Sequence, residues 1–225
     1  MSKKPLKKSE QKNVWKRARR DREIIINPEY HLIVTEGTKT EPQYFEGLKK
    51  EINDAYPNRI DIRIEGGGNG LNTKTLIDKA VELQKESAGR YQHIWVVFDK
   101  DDFPNKHFNE AIEKCKEHSN DDVTYHALWS NQCIELWFLL HFSYFDSDLH
   151  RTEYYPKLST HLNSKYKKNR KDLYSVLRSH LDIAIRNSKR LMDYHEGKNP
   201  ADKAPATTVY EIFEKLKPYL KQPND

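Results

Sequence analysis

The sequence predicts an α/β fold: a mostly parallel sheet flanked by helices, with a helical extension at the C-terminal end. Three observations carry that expectation. Strand-like and helix-like segments alternate from residue 30 to residue 142, and such alternation marks β-α-β units whose crossover helices make neighbouring strands parallel. His93–Phe98 (HIWVVF) is a near-continuous apolar run, the pattern of a strand buried on both faces. Beyond Arg151 the periodicity turns helical and no convincing strand is visible.

Each element follows in turn. Residues 1–22 hold ten Lys/Arg against Glu10 and Asp21 and little that is apolar, so they read as a basic flexible arm. Tyr30–Thr35 (YHLIVT) is a β-rich run closed by Glu36-Gly37, a strand with a turn behind it. From Glu41 to Ile52, the residues Tyr44, Phe45, Leu48 and Ile52 recur at helical spacing, and Pro42 suits a first turn. Arg59–Glu65 (RIDIRIE) alternates strictly, with Ile60, Ile62 and Ile64 on one face. Gly66-Gly67-Gly68-Asn69-Gly70 is a loop leading into a helix from about Thr73 to Ser87. After the central strand come a helix over Lys106–His118, a fourth strand over Val123–Trp129 and a strongly apolar helix over Ile134–Phe142. Tyr154–Tyr166, Lys171–Met192 and Thr207–Leu220 read as helices. The chain thus divides into an arm (1–22), an α/β core (23–150) and a helical extension (151–225).

At 225 residues the chain is long enough for one large domain, or a domain with an appended subdomain. Four Trp, thirteen Tyr and eight Phe supply a core despite the high charge. The longest apolar run, around Leu136–Leu140, is far short of the roughly 20 residues a membrane span needs. No apolar stretch follows the N-terminal basic residues, which argues against a secretory signal. Cys115 and Cys133 make neither a disulfide framework nor a zinc site. The compartment expected is therefore the cytoplasm. The net charge of +5 conceals a pattern: residues 23–150 carry 13 basic and 23 acidic residues, whereas residues 151–225 carry 16 basic and nine acidic. An acidic middle between basic flanks suits a cation-binding centre with a polyanion held around it. Solvated basic surfaces would give the same count.

Ligands of open α/β sheets bind outside the carboxyl ends of the strands. Two strands end there in carboxylates, the first in Glu36 and the third in Asp99-Lys100-Asp101-Asp102. In extended chain Asp99 and Asp101 point to the same side, and their repulsion is relieved by a cation between them. Oxygen donors select Mg²⁺, Mn²⁺ or Ca²⁺. The competing reading is an acidic surface turn in which Asp102 caps the helix near Lys106; Glu36 in the matching place favours the metal. Glu135 sits one turn into an apolar helix, where an unpaired carboxylate is costly. It is either a further metal ligand or its support, or a helix-start glutamate favoured by the dipole after a cap from Ser130 or Asn131. Glu41 reads as ordinary charge at a helix N-terminus. Gly68-x4-Thr73-Lys74-Thr75 ends like a phosphate loop, but Thr73 stands where the glycine is required, so an active-site loop is the better reading. The ten histidines include no HExxH spacing; His126, His141, His161 and His180 read as surface or core polar residues, and no nucleophile triad stands out.

Several segments together resemble the RloB-like family, which is related to Toprim domains. They are Ile33-Val34-Thr35-Glu36-Gly37-Thr38-Lys39-Thr40-Glu41-Pro42-Gln43-Tyr44-Phe45, Val96-Val97-Phe98-Asp99-Lys100-Asp101-Asp102, and the block from Ser130 to Phe142. Asn199-Pro200 and Pro205-Ala206-Thr207-Thr208-Val209 resemble the end of the same family, where a compact Asn-Pro-x-Thr-Thr is here stretched by an insertion. The resemblance runs from about residue 30 to residue 220. It implies a Toprim-like fold with Glu36, Asp99 and Asp101 as catalytic triad and, with Glu135, as ligands of Mg²⁺ (or Mn²⁺). It further implies a metal-dependent nuclease acting on RNA, tRNA included, or DNA, in which the glutamate serves as general acid or base. An effector role in anti-phage defence beside an ATPase partner follows from the same likeness. Lys39, Lys100, Lys167, Lys168 and Arg170 are the candidates for holding a nucleic-acid backbone, and Tyr154, Tyr155 and Tyr166 for stacking bases, although tyrosines at helical spacing are more often core. The competing class is a non-catalytic subunit binding nucleic acid or an ATPase, its acidic pocket structural. Topoisomerase- or primase-like strand chemistry ranks last, because nothing resembles a catalytic-tyrosine domain.

Overall fold

The computed structural model describes residues 29–57, 60–66 and 73–220; the basic arm and the glycine loop beyond Gly66 lie outside the described residues. Strand β3 (His93–Asp99) occupies the middle of the sheet, and its central five residues are buried, which is why it reads as an unbroken apolar run. Around it stand β1 (Glu29–Thr35), β2 (Ile60–Gly66), β4 (Thr124–Asn131) and β5 (Ala206–Thr207), in the order β2-β1-β3-β4-β5. The first four are mutually parallel, and β5 pairs antiparallel with the end of β4. Register pairs Thr35 with Val97 and Asp99 with Ser130, so the carboxyl ends of β1, β3 and β4 share one edge.

Alternation along the strands divides the interior in two. Leu32, Val34, Ile94, Val96 and Phe98 meet helices α2 (Thr73–Glu86) and α3 (Asn105–His118) on one face. Ile33, Trp95, Val97 and Leu128 face the other way, onto α1 (Thr40–Ala55) and α4 (Glu135–Leu140). Every residue of α4 is buried, as expected of a helix apolar all round. Its Trp137 indole N–H donates to the Tyr44 hydroxyl at 2.9 Å and so ties α4 to α1. Each such large side chain contributes on the order of 1.5–3 kcal/mol by burial. Cys115 and Cys133 are both buried and unpaired. Among the described residues no helix is long and apolar enough to cross a membrane.

The C-terminal third departs from expectation in two ways. First, it does contain a strand. Ala206 and Thr207 add β5 to the sheet edge, and Thr208 locks it there, its hydroxyl accepting from the Trp129 N–H at 2.9 Å. Two residues have no periodicity to detect, so this strand cannot be seen in a pattern search. Second, the helices are shorter than their apolar patterns. The first, α5, covers Tyr154–His161; the second splits into α6 (Leu173–Leu177) and α7 (Leu181–Tyr194) around a 3₁₀ turn at Arg178–His180; the third, α8, runs only over Tyr210–Leu216. Leu158, Leu173, Leu177 and Phe213 enter the same buried cluster as Tyr44, Phe45 and Trp137.

The contact of α1 with α6 is close enough to require glycine. A Cβ at Gly47 would overlap the Tyr174 side chain, whose hydroxyl donates to Glu51 at 2.7 Å beside an Arg178 guanidinium forked on the same carboxylate. In an exposed helix Gly→Ala gains up to about 1 kcal/mol. Here Gly47→Ala should instead destabilise the protein by about 1–3 kcal/mol through overpacking. Urea unfolding measures this, and an alanine variant as stable as wild type would refute the close approach.

Candidate functional site

The edge where β1, β3 and β4 end is where the carboxylates gather. Glu36 follows β1 directly; its N–H donates to the Val97 carbonyl at 2.9 Å, and its Oε2 accepts from the Asp99 N–H at 3.4 Å. The Thr35 hydroxyl, donating to the Gly37 carbonyl at 2.7 Å, shapes the turn behind it. Asp99 is the last residue of β3. The chain then leaves the sheet, with the Lys100 N–H on the Ser130 carbonyl at 2.8 Å and the Asp101 N–H on the Gln132 carbonyl at 3.0 Å.

Asp101 has a φ of 41°, so the stretch is not extended there and the same-side argument for Asp99 and Asp101 does not apply. A left-handed residue breaks the extended alternation, and aspartate tolerates that conformation better than most. The Asp101 carboxylate pairs with Arg151 at 2.7 Å, and Asp102 lies 3.5 Å from the same guanidinium. Asp102 does not cap the following helix: Pro104 holds the N-cap position of α3, without a side-chain cap. Nor do Ser130 or Asn131 cap α4, since Ser130 bonds Thr207 and Asn131 donates to the Ala201 carbonyl.

Glu135, the first residue of α4, is 1 % exposed. It is paired as its burial demands: the Tyr166 hydroxyl donates to its Oε1 at 3.0 Å. Glu41 is the surprise. It stands in the first turn of α1 yet is only 8 % exposed, and a Cβ at Gly37 would overlap its carboxylate. It is not ordinary surface charge but a member of the pocket. The signal in the sequence was its place: a helix that starts at the carboxyl edge directs its first turn into the crevice that receives Glu36.

The electrostatics reflect this crowding. Burial pushes the Glu36 carboxyl up to about 7, helped by Asp101 and Glu41 and opposed by the Asp99 N–H bond. Asp99 is held well above its ordinary range, first by burial and then by Glu41, Glu135, Asp101 and Glu36. Glu41 is raised by burial, then by Glu135 and Asp101, with Lys168 working the other way. Each of these groups is a carboxyl surrounded by carboxylates.

The cations sort into two kinds. Lys100 is buried with its Nζ on the Phe103 carbonyl, and Arg170 is forked on Asp172 at 2.7 and 3.0 Å. Both have partners within the chain. Lys39, Lys167 and Lys168 are exposed, and the Lys168 Nζ lies 5.4 Å from the centre of the Tyr155 ring. Lys74, at the phosphate-loop-like stretch, starts α2 and pairs with Glu110. All four singled-out histidines pack on rings: His126 stacks on Trp95, His161 and His180 lie beside Phe142, and His141 meets Trp137 edge-on. His141 is fully buried, its Nδ1 on the Trp137 carbonyl.

The carboxylates gathered at this edge are oxygen donors, the type that suits a hard divalent cation that keeps several waters. Among the described residues, however, no group of three or more His, Cys, Asp or Glu side chains is placed to hold a metal ion.

Over residues 31–216 the chain matches the model of the family described as RloB-like protein. No curated protein and no solved structure matches it.

The raised carboxyls set a pH dependence. A carboxyl whose folded pKa lies above its ordinary value binds more protons in the fold than out of it, so stability is full at low pH and falls as pH climbs through the folded value. For Glu36 that window runs from 4.5 to about 7, and Asp99 and Glu41 act in the same direction. Unfolding free energy should therefore decline between about pH 5 and pH 8. Glu36→Gln should flatten the decline by about 1–2 kcal/mol, allowing for partial exposure of the side chain. Parallel stability curves for wild type and Glu36→Gln, measured by urea titration across that range, would rule out the raised carboxyl.

Proposed function

We propose that this chain, which belongs to the RloB-like family, is a Mg²⁺- or Mn²⁺-dependent nuclease of Toprim type that cleaves phosphodiesters in RNA, tRNA included, or DNA. The observation that carries the reading is the gathering of Glu36, Glu41, Asp99 and Glu135 at the carboxyl edge of the parallel sheet, with Asp99 raised first by burial and then by the charges of Glu41, Glu135, Asp101 and Glu36. Asp99, Asp101 and Glu36 would hold the ion, with Glu135 as a further ligand. Bound there, the metal supplies Lewis-acid stabilisation of charge on the phosphoryl group. Glu36 is assigned the proton work: without metal its carboxyl is pushed up to about 7, first by burial and then by Asp101 and Glu41, and a divalent ion beside it would favour the carboxylate, the form that accepts a proton. Lys39 and Lys167, exposed and close in sequence to pocket residues, would meet the nucleic-acid backbone.

As its biological setting we propose a cytoplasmic effector of bacterial anti-phage defence that works beside an ATPase subunit. A second reading, a non-catalytic subunit that binds nucleic acid or an ATPase, is favoured by one observation. Asp101 already has a cation in Arg151, and no three described side chains close on an ion.

A cleavage assay on tRNA, single-stranded RNA and plasmid DNA decides between them. Wild type should cut at least one substrate with Mg²⁺ or Mn²⁺ and none with EDTA. Glu36→Ala and Asp99→Ala, shown by circular dichroism to be folded, should lose on the order of 10³-fold or more. Undiminished cleavage by both variants would sink the nuclease reading. Nucleic-acid binding that survives EDTA and Glu36→Ala, without cleavage, would establish the second.

A further inference from the structure

The phosphoryl-transfer reading, on which this inference rests, needs a positive group facing the carboxylates, and the C-terminal part of the chain carries a candidate. Between α5 and α6 the chain passes the acid pocket in a loop that turns at Asn163, with φ 49°. Tyr166 fastens this loop. Its N–H donates to the Ser159 hydroxyl at 2.9 Å, its ring packs on that of Tyr155 at 5.8 Å, and its hydroxyl reaches the buried Glu135. Two residues later Lys168 lies over the Tyr155 ring.

Lys168 differs from the other cations near the pocket. Arg151 is paired with Asp101, Arg170 with Asp172, and Lys100 is spent on the Phe103 carbonyl. Lys168 forms no ion pair within 4 Å among the described residues, although Glu135, Asp99 and Glu41 all act on its charge. Burial opposes that charge, but Tyr155, Glu135 and Asp99 outweigh it and hold the ammonium firmly protonated. A lysine cradled on an aromatic face, opposite carboxylates it does not touch, makes a pocket of mixed sign. A phosphoryl group bridged to a divalent ion presents the matching charges, anionic oxygens to the lysine and the cation to the carboxylates.

We propose that Lys168 is a catalytic residue whose ammonium donates to a non-bridging oxygen of the phosphoryl group, opposite Asp99 and Glu135. Tyr166 is the positioning residue that fixes the lysine loop to Glu135. Preorganised charge of this kind is worth about 10²–10³-fold in rate. Lys165, exposed on the same loop, is the built-in control.

Two measurements test the assignment. The first is equilibrium binding of uridine 5′-monophosphate in Mg²⁺, with uridine as its phosphate-free control. Wild type and Lys165→Met should bind the nucleotide and not the nucleoside, and Lys168→Met should bind at least several-fold more weakly. The second is cleavage kinetics. Lys168→Met should lower kcat by about 10²–10³-fold with KM within a few-fold, Lys168→Arg should recover part of the rate, and Tyr166→Phe should lower kcat more than it raises KM. If Lys168→Met raises KM alone, as Lys167→Met would, or leaves nucleotide binding unchanged, the assignment is overturned while the nuclease reading stands. If nucleotide binding depends on Lys168 but wild type cleaves nothing, the phosphate contact stands and the nuclease reading falls. Absence of both binding and cleavage removes both.

Discussion

Repulsion among carboxylates is the constraint that organises this molecule. Parallel pairing of β1 with β3 and of β3 with β4 delivers Glu36 and Asp99 to one edge, and the helices that start there add Glu41 and Glu135. Two like charges about 6 Å apart repel by roughly 3 kcal/mol at an effective dielectric of about 20. A helix N-terminus returns only about 0.3–1 kcal/mol to each glutamate in its first turn. The dipoles of α1 and α4 therefore cannot balance the account alone. The pocket must take up protons or cations, and the raised Glu36, Asp99 and Glu41 carboxyls express the first of those remedies.

The rest of the fold keeps those groups from escaping one another. Glu135 cannot swing into water because α4 is buried along its whole length, pinned by the Trp137–Tyr44 hydrogen bond. Glu41 cannot retreat because α1 is held between the sheet and α6, where Gly47 admits Tyr174 at backbone range. Glu36 is fixed by its N–H on Val97 and its carboxylate against the Asp99 N–H. Asp101 alone has an exit, through a left-handed turn towards Arg151. Rigid placement of like charges is affordable only on a well-packed core, and the buried cluster shared by α1, α4 and the C-terminal helices supplies it.

What the sequence made legible follows the same physics. The four parallel strands announce themselves because burial on one or two faces writes a period of two, or an apolar run, into the residues. Glu36 and Asp99 were visible because strand ends are where such sheets place ligands. Asp101 was misread in conformation, since nothing in Asp-Lys-Asp-Asp signals that the strand stops after its first residue. Glu41 was passed over because charge in a first helical turn is usually solvated, and only the closeness of Gly37 shows that this one is covered. The short β5 and the breaks within the C-terminal helices depend on tertiary contacts, such as Thr208 on Trp129, that leave no local periodicity.

The charge pattern along the chain acquires a structural meaning from this arrangement. The acidic middle does not form a pocket by itself, because the groups that answer its charge come from beyond residue 150. Arg151 meets Asp101, Tyr166 meets Glu135, and Lys168 faces Asp99 and Glu41. The sheet contributes the carboxylates and the C-terminal helices contribute their counter-charges, and each set would be unstable in its place without the other. The site is thus a product of both parts of the chain, and a lesion in the loop that carries Tyr166 and Lys168 acts on the same electrostatic balance as one at the strand ends.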